Sequence, residues 1–219
     1  MISIADLIKD SSFAGNYFAA DVYARGDFES GLIENRQGKR LIALPNTLMK
    51  SIYTALVSEV GSAAGLVLYN CGIGWGKNFY RRFAEEVSTY YQKSISEMEM
   101  IELVQCLKQC WKAHGWGTLA LNCDYYQQGF LVVQIKQSPF ASVAESDEQP
   151  NCFLEAGLLA AFFSELSGTN LECIQTACES LGANSNMFIL GLKQRLKPVE
   201  TMVAQNQSHE AIMQRLCSN

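Results

Sequence analysis

The sequence is poor in charged residues, prolines and histidines, and it contains no Cys-x-x-Cys pair. Charged residues make up 18% of the 219 positions, and there are only 4 prolines and 2 histidines. A low charged fraction leaves neutral and apolar surface of the kind that forms pocket walls and partner interfaces. The net charge of −5 and the lack of a long basic run argue against nucleic acid as a partner.

Long hydrophobic runs are also missing. The longest apolar stretches, residues 63–75 and 158–163, fall short of the ~20 residues that span a bilayer. The first residues, Met1 to Lys9, lack the basic-then-apolar pattern of a signal peptide. We therefore expect a cytoplasmic protein with no transmembrane segment, whose 8 cysteines are reduced thiols. Peripheral association with a membrane stays open.

The order of the predicted elements indicates an α+β fold, in which an antiparallel sheet packs against a helical layer. Antiparallel strand pairs flank a block of helices, and the chain divides into three regions. These are a strand-rich N-terminal extension (residues 1–45), a ligand-binding domain (residues 46–197) and a C-terminal helical tail (residues 198–219).

Periodicity and turn residues place the individual elements. Short strands are predicted at 17–24, 28–34 and 40–44, a hairpin at 117–124 and 130–136, and a second strand pair at 171–176 and 187–192. Helices are predicted after Asn46, after Lys77, after a Ser96–Glu99 capping box and across residues 152–166. An exposed loop is expected at 138–150, and two short helices after Pro198.

A glycine-dense segment at residues 71–76 resembles a phosphate-binding loop only superficially. A Walker motif requires glycine at position 71 and Ser or Thr at position 78, where Cys71 and Asn78 stand. The third glycine of a dinucleotide-binding pattern would fall on Lys77. We interpret these glycines as positions that let two helices, or a helix and a ligand, approach closely.

Cys106, Cys110 and His114 lie four residues apart on one predicted helix and are candidate metal ligands. Three groups in line along a helix rarely bind one tetrahedral ion, so core thiols are the favoured interpretation. Neither His114 nor His209 has a recognisable nucleophile beside it. The sequence therefore predicts no catalytic residue, and both histidines are interpreted as surface or hydrogen-bonded side chains.

Aromatic residues mark a candidate pocket. Trp75 and Trp116 each stand between glycines, an arrangement suited to a cavity wall, although ordinary core packing is the alternative. The predicted ligand-binding residues are Trp75, Phe79, Tyr80, Phe83, Trp116 and Tyr125.

Three segments together resemble the 4-vinyl-reductase domain family. They are the Leu-Tyr-then-glycine helix at residues 65–76, the Gly-Trp-Gly entry to a hairpin at residues 115–117, and a closing module at residues 151–188. The closing module has a cysteine before a buried helix (Cys152), then Cys-x-x-x-Gly and Met-Phe. The resemblance covers roughly residues 45 to 195. It implies a fold similar to TRAPP trafficking subunits and haem nitric-oxide sensors, a homodimer, and an enclosed small hydrophobic ligand.

The resemblance also implies a metal position. In phenol-sensing members of the family, three cysteines and a glutamate of the closing module bind zinc. Cys152 and Cys178 match two of these ligands, but Gln175 and Asn186 stand at the other two positions. Because amides are poor zinc ligands, we predict no structural zinc and a hydrogen bond between Gln175 and Asn186 instead.

The sequence thus predicts a binding protein for an aromatic or tetrapyrrole-like molecule, accessory to pigment handling or photosystem assembly. Assembly proteins of the photosystem are candidate partners, and a bound tetrapyrrole is the one candidate cofactor. One alternative is a reductase of a vinyl group on a chlorophyll precursor, although no nicotinamide or flavin motif is visible. The other is a ligand-free interaction scaffold. Cys71 is either a covalent pigment attachment point or, on base rates, a buried free thiol.

Overall fold

The computed structural model describes residues 15–27, 29–141 and 149–218. The prediction made for Met1 to Lys9 therefore lies outside the described residues, as does most of the loop predicted at 138–150. Of that loop, Ser138 and Ala141 are described and buried, so its beginning belongs to the core.

The N-terminal region forms a small three-stranded antiparallel sheet. A short helix α1 (Ala20–Tyr23) leads into β1 (Ala24–Asp27), which pairs with β2 (Leu32–Asn35), and β2 pairs with β3 (Arg40–Leu41). The strand predicted at 17–24 is wrong: Tyr17 and Phe18 lie in a turn and insert buried rings into the main core. Packing of these rings overrides their strand propensity.

Two helices follow, and the glycine-dense segment lies inside the second one. Helix α2 (Asn46–Val60) is joined by a single 3-10 turn (Gly61–Ala63) to α3 (Ala64–Tyr91), which runs without interruption through residues 71–76. Asn46 is the first helical residue and makes no capping hydrogen bond with its side chain. No residue of α2 is buried.

Helix α4 (Met100–Ala113) begins after two capping boxes that differ from the predicted one. Ser94 pairs with Glu97 around a 3-10 turn, and Glu99 pairs with Glu102 at the start of the helix. The helix ends as predicted before Gly115, whose φ of +70° favours glycine.

The second sheet has four antiparallel strands in the order β4-β5-β7-β6. The hairpin pairs β4 (Thr118–Asn122) with β5 (Leu131–Lys136), and the later strands β6 (Glu172–Ala177) and β7 (Asn186–Gly191) also pair. Helix α5 (Phe153–Ser167) precedes β6 and is buried along nearly its whole first half. The predicted α+β class and antiparallel sheet are confirmed.

Helices cover both faces of this sheet. Alternating strand residues, such as Val133 and Phe188, face a large core shared with α3, α4 and α5, while Val132 and Ile189 face a smaller core. The smaller core packs against α6 (Lys193–Ala204) and α7 (His209–Cys217). Helix α6 begins before Pro198, not after it, and Ser208 caps α7 through a hydrogen bond from the Ala211 amide.

Close contact between α3 and α5 depends on glycine. A Cβ on Gly76 would lie 2.6 Å from the Leu158 carbonyl oxygen, and a Cβ on Gly72 would lie 3.0 Å from the Cα of Gly157. Real Cβ atoms do not approach backbone so closely, so the two helices are in direct backbone contact. The interpretation of these glycines as close-approach positions agrees with this geometry.

Candidate functional site

A pocket of about 620 Å³ opens between the helical layer and the edge strand β6. Its walls come from the beginning of α3, the beginning of α5, β6 and α6. Most of the side chains are apolar; they include Leu66, Tyr69, Phe153, Ala156, Ile174 and Val203. The volume falls within the ~300–1,000 Å³ of typical small-molecule sites.

The charged groups of this pocket lie at its rim. Lys193 forms a 2.6 Å ion pair with Glu172, and both residues line the opening together with Glu200. Lys193 is 71% exposed, so water screens this pair and it contributes little to stability. The site therefore combines an apolar interior with a mixed-charge, solvated mouth.

Five of the six predicted ligand-binding residues come together, but in the core and not in this pocket. Phe79 is central: its ring centroid lies 5.1 Å from that of Trp116 and 5.5 Å from that of Phe162. Trp75 packs on Trp116, while Tyr80 and Phe83 pack on Phe162. These contacts are those of a packed aromatic cluster. Binding of a ligand by these residues stays a prediction, and it would require the rings to separate.

Tyr125 does not join the aromatic cluster. It packs against the smaller core on the opposite face of the sheet, with Phe130. Its place follows from the 3-10 turn after β4, which carries residue 125 around the end of the sheet. A site that includes Tyr125 together with Trp75 would need both faces of the sheet.

A buried polar network borders the aromatic cluster. The Glu86 carboxylate accepts hydrogen bonds from Asn35 Nδ2 (2.5 Å) and Tyr23 Oη (3.4 Å), and Arg82 Nε lies 3.7 Å away. His114 contacts Arg82 through Nε2 at 2.8 Å. Burial lowers the pKa of His114 to about 4, so the ring is neutral near pH 7. The network joins the N-terminal sheet to the main core.

The positions that match family zinc ligands lie together at the base of α5. Cys152 is the residue before α5, and its Sγ lies 3.9 Å from Cys178 Sγ. Gln175 Nε2 donates to Cys152 Sγ and to Asn186 Oδ1, both at 3.3 Å. The predicted hydrogen bond between Gln175 and Asn186 is therefore present.

These residues do not fit a zinc ion. An amide N–H group of Gln175 points at the thiol and carbonyl groups that would have to face the metal, and an N–H donor repels a cation. Within residues 15–27, 29–141 and 149–218, no group of three His, Cys, Asp or Glu side chains has metal-binding geometry. The apolar packing of α5 and hydrogen bonds hold this module together.

Two acidic groups here have shifted pKa values. Hydrogen bonding from Cys152 lowers the pKa of the Cys178 thiol to about 6, against an opposing effect of burial. Burial raises the pKa of Glu155 to about 8. Glu155 is fully buried in α5, accepts a 2.9 Å hydrogen bond from Ser138 Oγ, and its second oxygen has no partner among the described residues.

The remaining candidate residues behave as separate groups. Cys106 and Cys110 are buried in α4, and burial raises the pKa of both thiols. His209 is also buried, and it contacts Thr176 Oγ1 at 2.7 Å. Cys71 is exposed on α3, so the expectation of a buried thiol is wrong.

The helical segment Asn46–Tyr91 carries an exposed apolar surface that the sequence did not predict. By length and composition alone it meets the criteria for a membrane span, because its two helices follow each other almost directly. Its most apolar window is only 6% buried. Exposed side chains include Leu48 (42%), Ile52 (48%) and Leu66 (65%).

Comparisons with known proteins agree with this architecture. Residues 131–192 match the family model of the 4-vinyl-reductase domain, a range that contains most of the closing module but not the aromatic cluster residues of α3. The match supports the resemblance to that family. No curated protein sequence matches the chain significantly.

Several solved structures share the fold at low identity. The phenol-responsive sensory domain of the transcription activator PoxR, solved with phenol, has 14% identity, a TM-score of 0.63 and coverage of 84% of this chain and 92% of that chain. Trafficking protein particle complex subunit 3 from Naegleria fowleri, covalently bound to palmitic acid, has 16% identity, a TM-score of 0.48 and coverage of 68% and 95%. A vinyl-4-reductase family protein from Methanocaldococcus jannaschii has 18% identity, a TM-score of 0.45 and coverage of 68% and 82%.

The sequence missed the 620 Å³ pocket, because its lining comes from four elements that are distant in the chain. Its residues are ordinary apolar side chains and carry no motif. The one signal in the sequence was the pair of small residues Gly65 and Ala156, which leave space where α3 and α5 diverge from β6.

Proposed function

We propose that the protein is a domain of the 4-vinyl-reductase type that binds a small hydrophobic molecule in the pocket between α3, α5, β6 and α6. One observation carries the proposal: an apolar cavity of about 620 Å³ is open at the edge of the sheet without any rearrangement of the fold. The family match over residues 131–192 supports a binding role, since it includes two of the walls, α5 and β6.

The pocket chemistry favours a ligand with a flat or extended apolar body and a small polar end. The body would contact Leu66, Tyr69 and Phe153, and the polar end would lie beside Lys193 and Glu172 at the rim. A tetrapyrrole or another aromatic molecule has this form. We therefore propose that the protein takes part in pigment handling, with photosystem assembly as its setting.

We further propose that the protein acts as a homodimer and that α2 contributes to the contact between the two copies. Exposed Leu48 and Ile52, with Ala55, lie on one side of α2 at helical spacing. An apolar helix with no buried residue gains most of its stability from a partner.

Binding is tested directly with defined probes. Fluorescence of 1-anilinonaphthalene-8-sulfonate and quenching of tryptophan by protoporphyrin IX are titrated against the purified chain, and native mass spectrometry gives the stoichiometry. Saturable binding of one probe per chain is expected. Absence of saturable binding for both probes, with no extra mass on the purified protein, would contradict the proposal and favour a ligand-free scaffold.

A further inference from the structure

Cys152 and Cys178 are in contact although they are separated by 26 residues in the chain. Cys152 immediately precedes α5, and Cys178 immediately follows β6. Their sulfur atoms are 3.9 Å apart, whereas a disulfide bond needs about 2.05 Å. The two sulfurs therefore need to approach by about 2 Å, a movement that rotation of two side chains can largely supply.

Hydrogen bonds hold the two thiols in this arrangement. The Cys152 amide donates to Gln175 Oε1 at 2.8 Å, and Gln175 Nε2 donates to Cys152 Sγ at 3.3 Å. Cys178 Sγ lies 3.0 Å from Ser180 Oγ. A register irregularity between Gln175 and Ala177 at the end of β6 turns the chain so that Cys178 faces α5.

Both sulfurs belong to residues that line openings to solvent. Cys152 lines the 620 Å³ pocket, and Cys178 lines a second pocket of about 170 Å³ on the other side of residues Gln149 and Pro150. A small oxidant can therefore reach the pair although each residue is at most 3% exposed. Cys106 and Cys110 line neither of these two pockets.

We propose that Cys152 and Cys178 form an oxidative modification site, a dithiol that a hydroperoxide converts to a disulfide. Cys178 as thiolate attacks the peroxide oxygen, breaks the O–O bond and becomes a sulfenic acid, and the leaving hydroxide takes up a proton to form water. Cys152 then attacks the Cys178 sulfur, forms the S–S bond and releases a second water molecule. Two thiols lose two electrons and two protons, and one hydrogen peroxide is reduced to two water molecules.

The disulfide would fix the beginning of α5 to the end of β6. Both elements are walls of the 620 Å³ pocket, and Cys152 itself lines it. Oxidation therefore changes the shape of that pocket and the affinity of its ligand. This last step rests on the proposed function, whereas formation of the disulfide does not.

The full-length reduced chain is titrated with hydrogen peroxide, unfolded in the presence of N-ethylmaleimide, digested and mapped by mass spectrometry. The expected product is one cross-linked peptide pair containing Cys152 and Cys178, lighter by two hydrogen atoms and restored by dithiothreitol. The proposal is overturned if both cysteines are recovered as maleimide adducts at a peroxide concentration that oxidises exposed Cys71.

Two variants sharpen the experiment. Cys71→Ser should leave the cross-link unchanged, and Cys152→Ser should abolish it and leave Cys178 open to irreversible oxidation. Affinity for 1-anilinonaphthalene-8-sulfonate is then compared between oxidised and reduced wild-type protein. A change of at least about threefold that disappears in Cys152→Ser supports the link to the pocket. Equal affinities, with the cross-link present, would overturn the link alone.

Discussion

Gly157 of α5 lies so close to Tyr69 of α3 that a Cβ on Gly157 would stand 3.0 Å from the Tyr69 carbonyl carbon and overlap its oxygen. We expect Gly157→Ala to destabilise the protein by about 1–3 kcal/mol or more, because two helix backbones would have to separate. Denaturant unfolding followed by circular dichroism measures the change.

Gly74 supplies the matched control. It lies on the exposed side of α3, where an added Cβ would meet nothing within 4 Å. Gly74→Ala should therefore stabilise the helix by about 0.5–1 kcal/mol. Equal effects of the two substitutions would show that α3 and α5 do not pack through their glycines.

Glu155 should make stability fall with rising pH. Its pKa is raised to about 8 in the folded protein by burial, against ~4.3 in an unfolded chain. Below about pH 4.3 both states are protonated and the folded state loses nothing. Between about pH 4.3 and 8 only the unfolded state releases the proton, so the free energy of unfolding decreases by up to about 5 kcal/mol.

The Glu155→Gln variant isolates this effect, because glutamine stays neutral and can still accept the hydrogen bond from Ser138. The variant should gain stability over wild type as the pH rises from about 5 to 8 and little at about pH 4. Urea unfolding at several pH values gives the difference directly. Parallel pH profiles for the two proteins would mean that Glu155 is ionised in the folded state.

Ala204→Trp should weaken ligand binding by about tenfold or more, since Ala204 is exposed at the end of α6 and lines the pocket. Ala211→Trp, an equivalent exchange at an exposed position of α7 outside the pocket lining, should leave the affinity unchanged. Probe titrations measure both. If Trp116→Ala reduces affinity while Ala204→Trp does not, the ligand enters the aromatic cluster and not the pocket.

Ile52→Glu should raise the dissociation constant of the homodimer by at least about tenfold, because a charge replaces a 48% exposed apolar side chain on α2. Ser51→Glu places the same charge on the hydroxyl-rich side of the helix and should change association little. Size-exclusion chromatography with light scattering distinguishes the cases. A wild-type chain that is monomeric at high concentration would refute the homodimer.

The sequence predicts the regular elements best where one period dominates. The buried helix predicted at 152–166 lies at Phe153–Ser167, and both strand pairs of the main sheet lie within about two residues of the predicted bounds at most boundaries. Gly115 and Gly168 mark helix ends because their backbone angles favour glycine. Local patterns of this kind depend on neighbours in the chain.

Other features depend on contacts that no local pattern encodes. Tyr17 and Phe18 lie in a turn because their rings pack on residues such as Phe83 and Tyr90, far along the chain. The glycines of α3 resemble a helix break in the sequence, yet the α5 backbone requires them inside a continuous helix. The family resemblance groups four residues that the structure places in mutual contact, namely Cys152, Gln175, Cys178 and Asn186.

The position of β7 between β5 and β6 also governs how the chain can be assembled. β6 is made earlier but has its ladder with β7, so its backbone groups stay unpaired until residues 186–191 have left the ribosome. The sheet is thus completed by one of the last segments synthesised. Until then, an apolar strand edge is open to misassociation, and a nascent chain of this protein would benefit from chaperone protection.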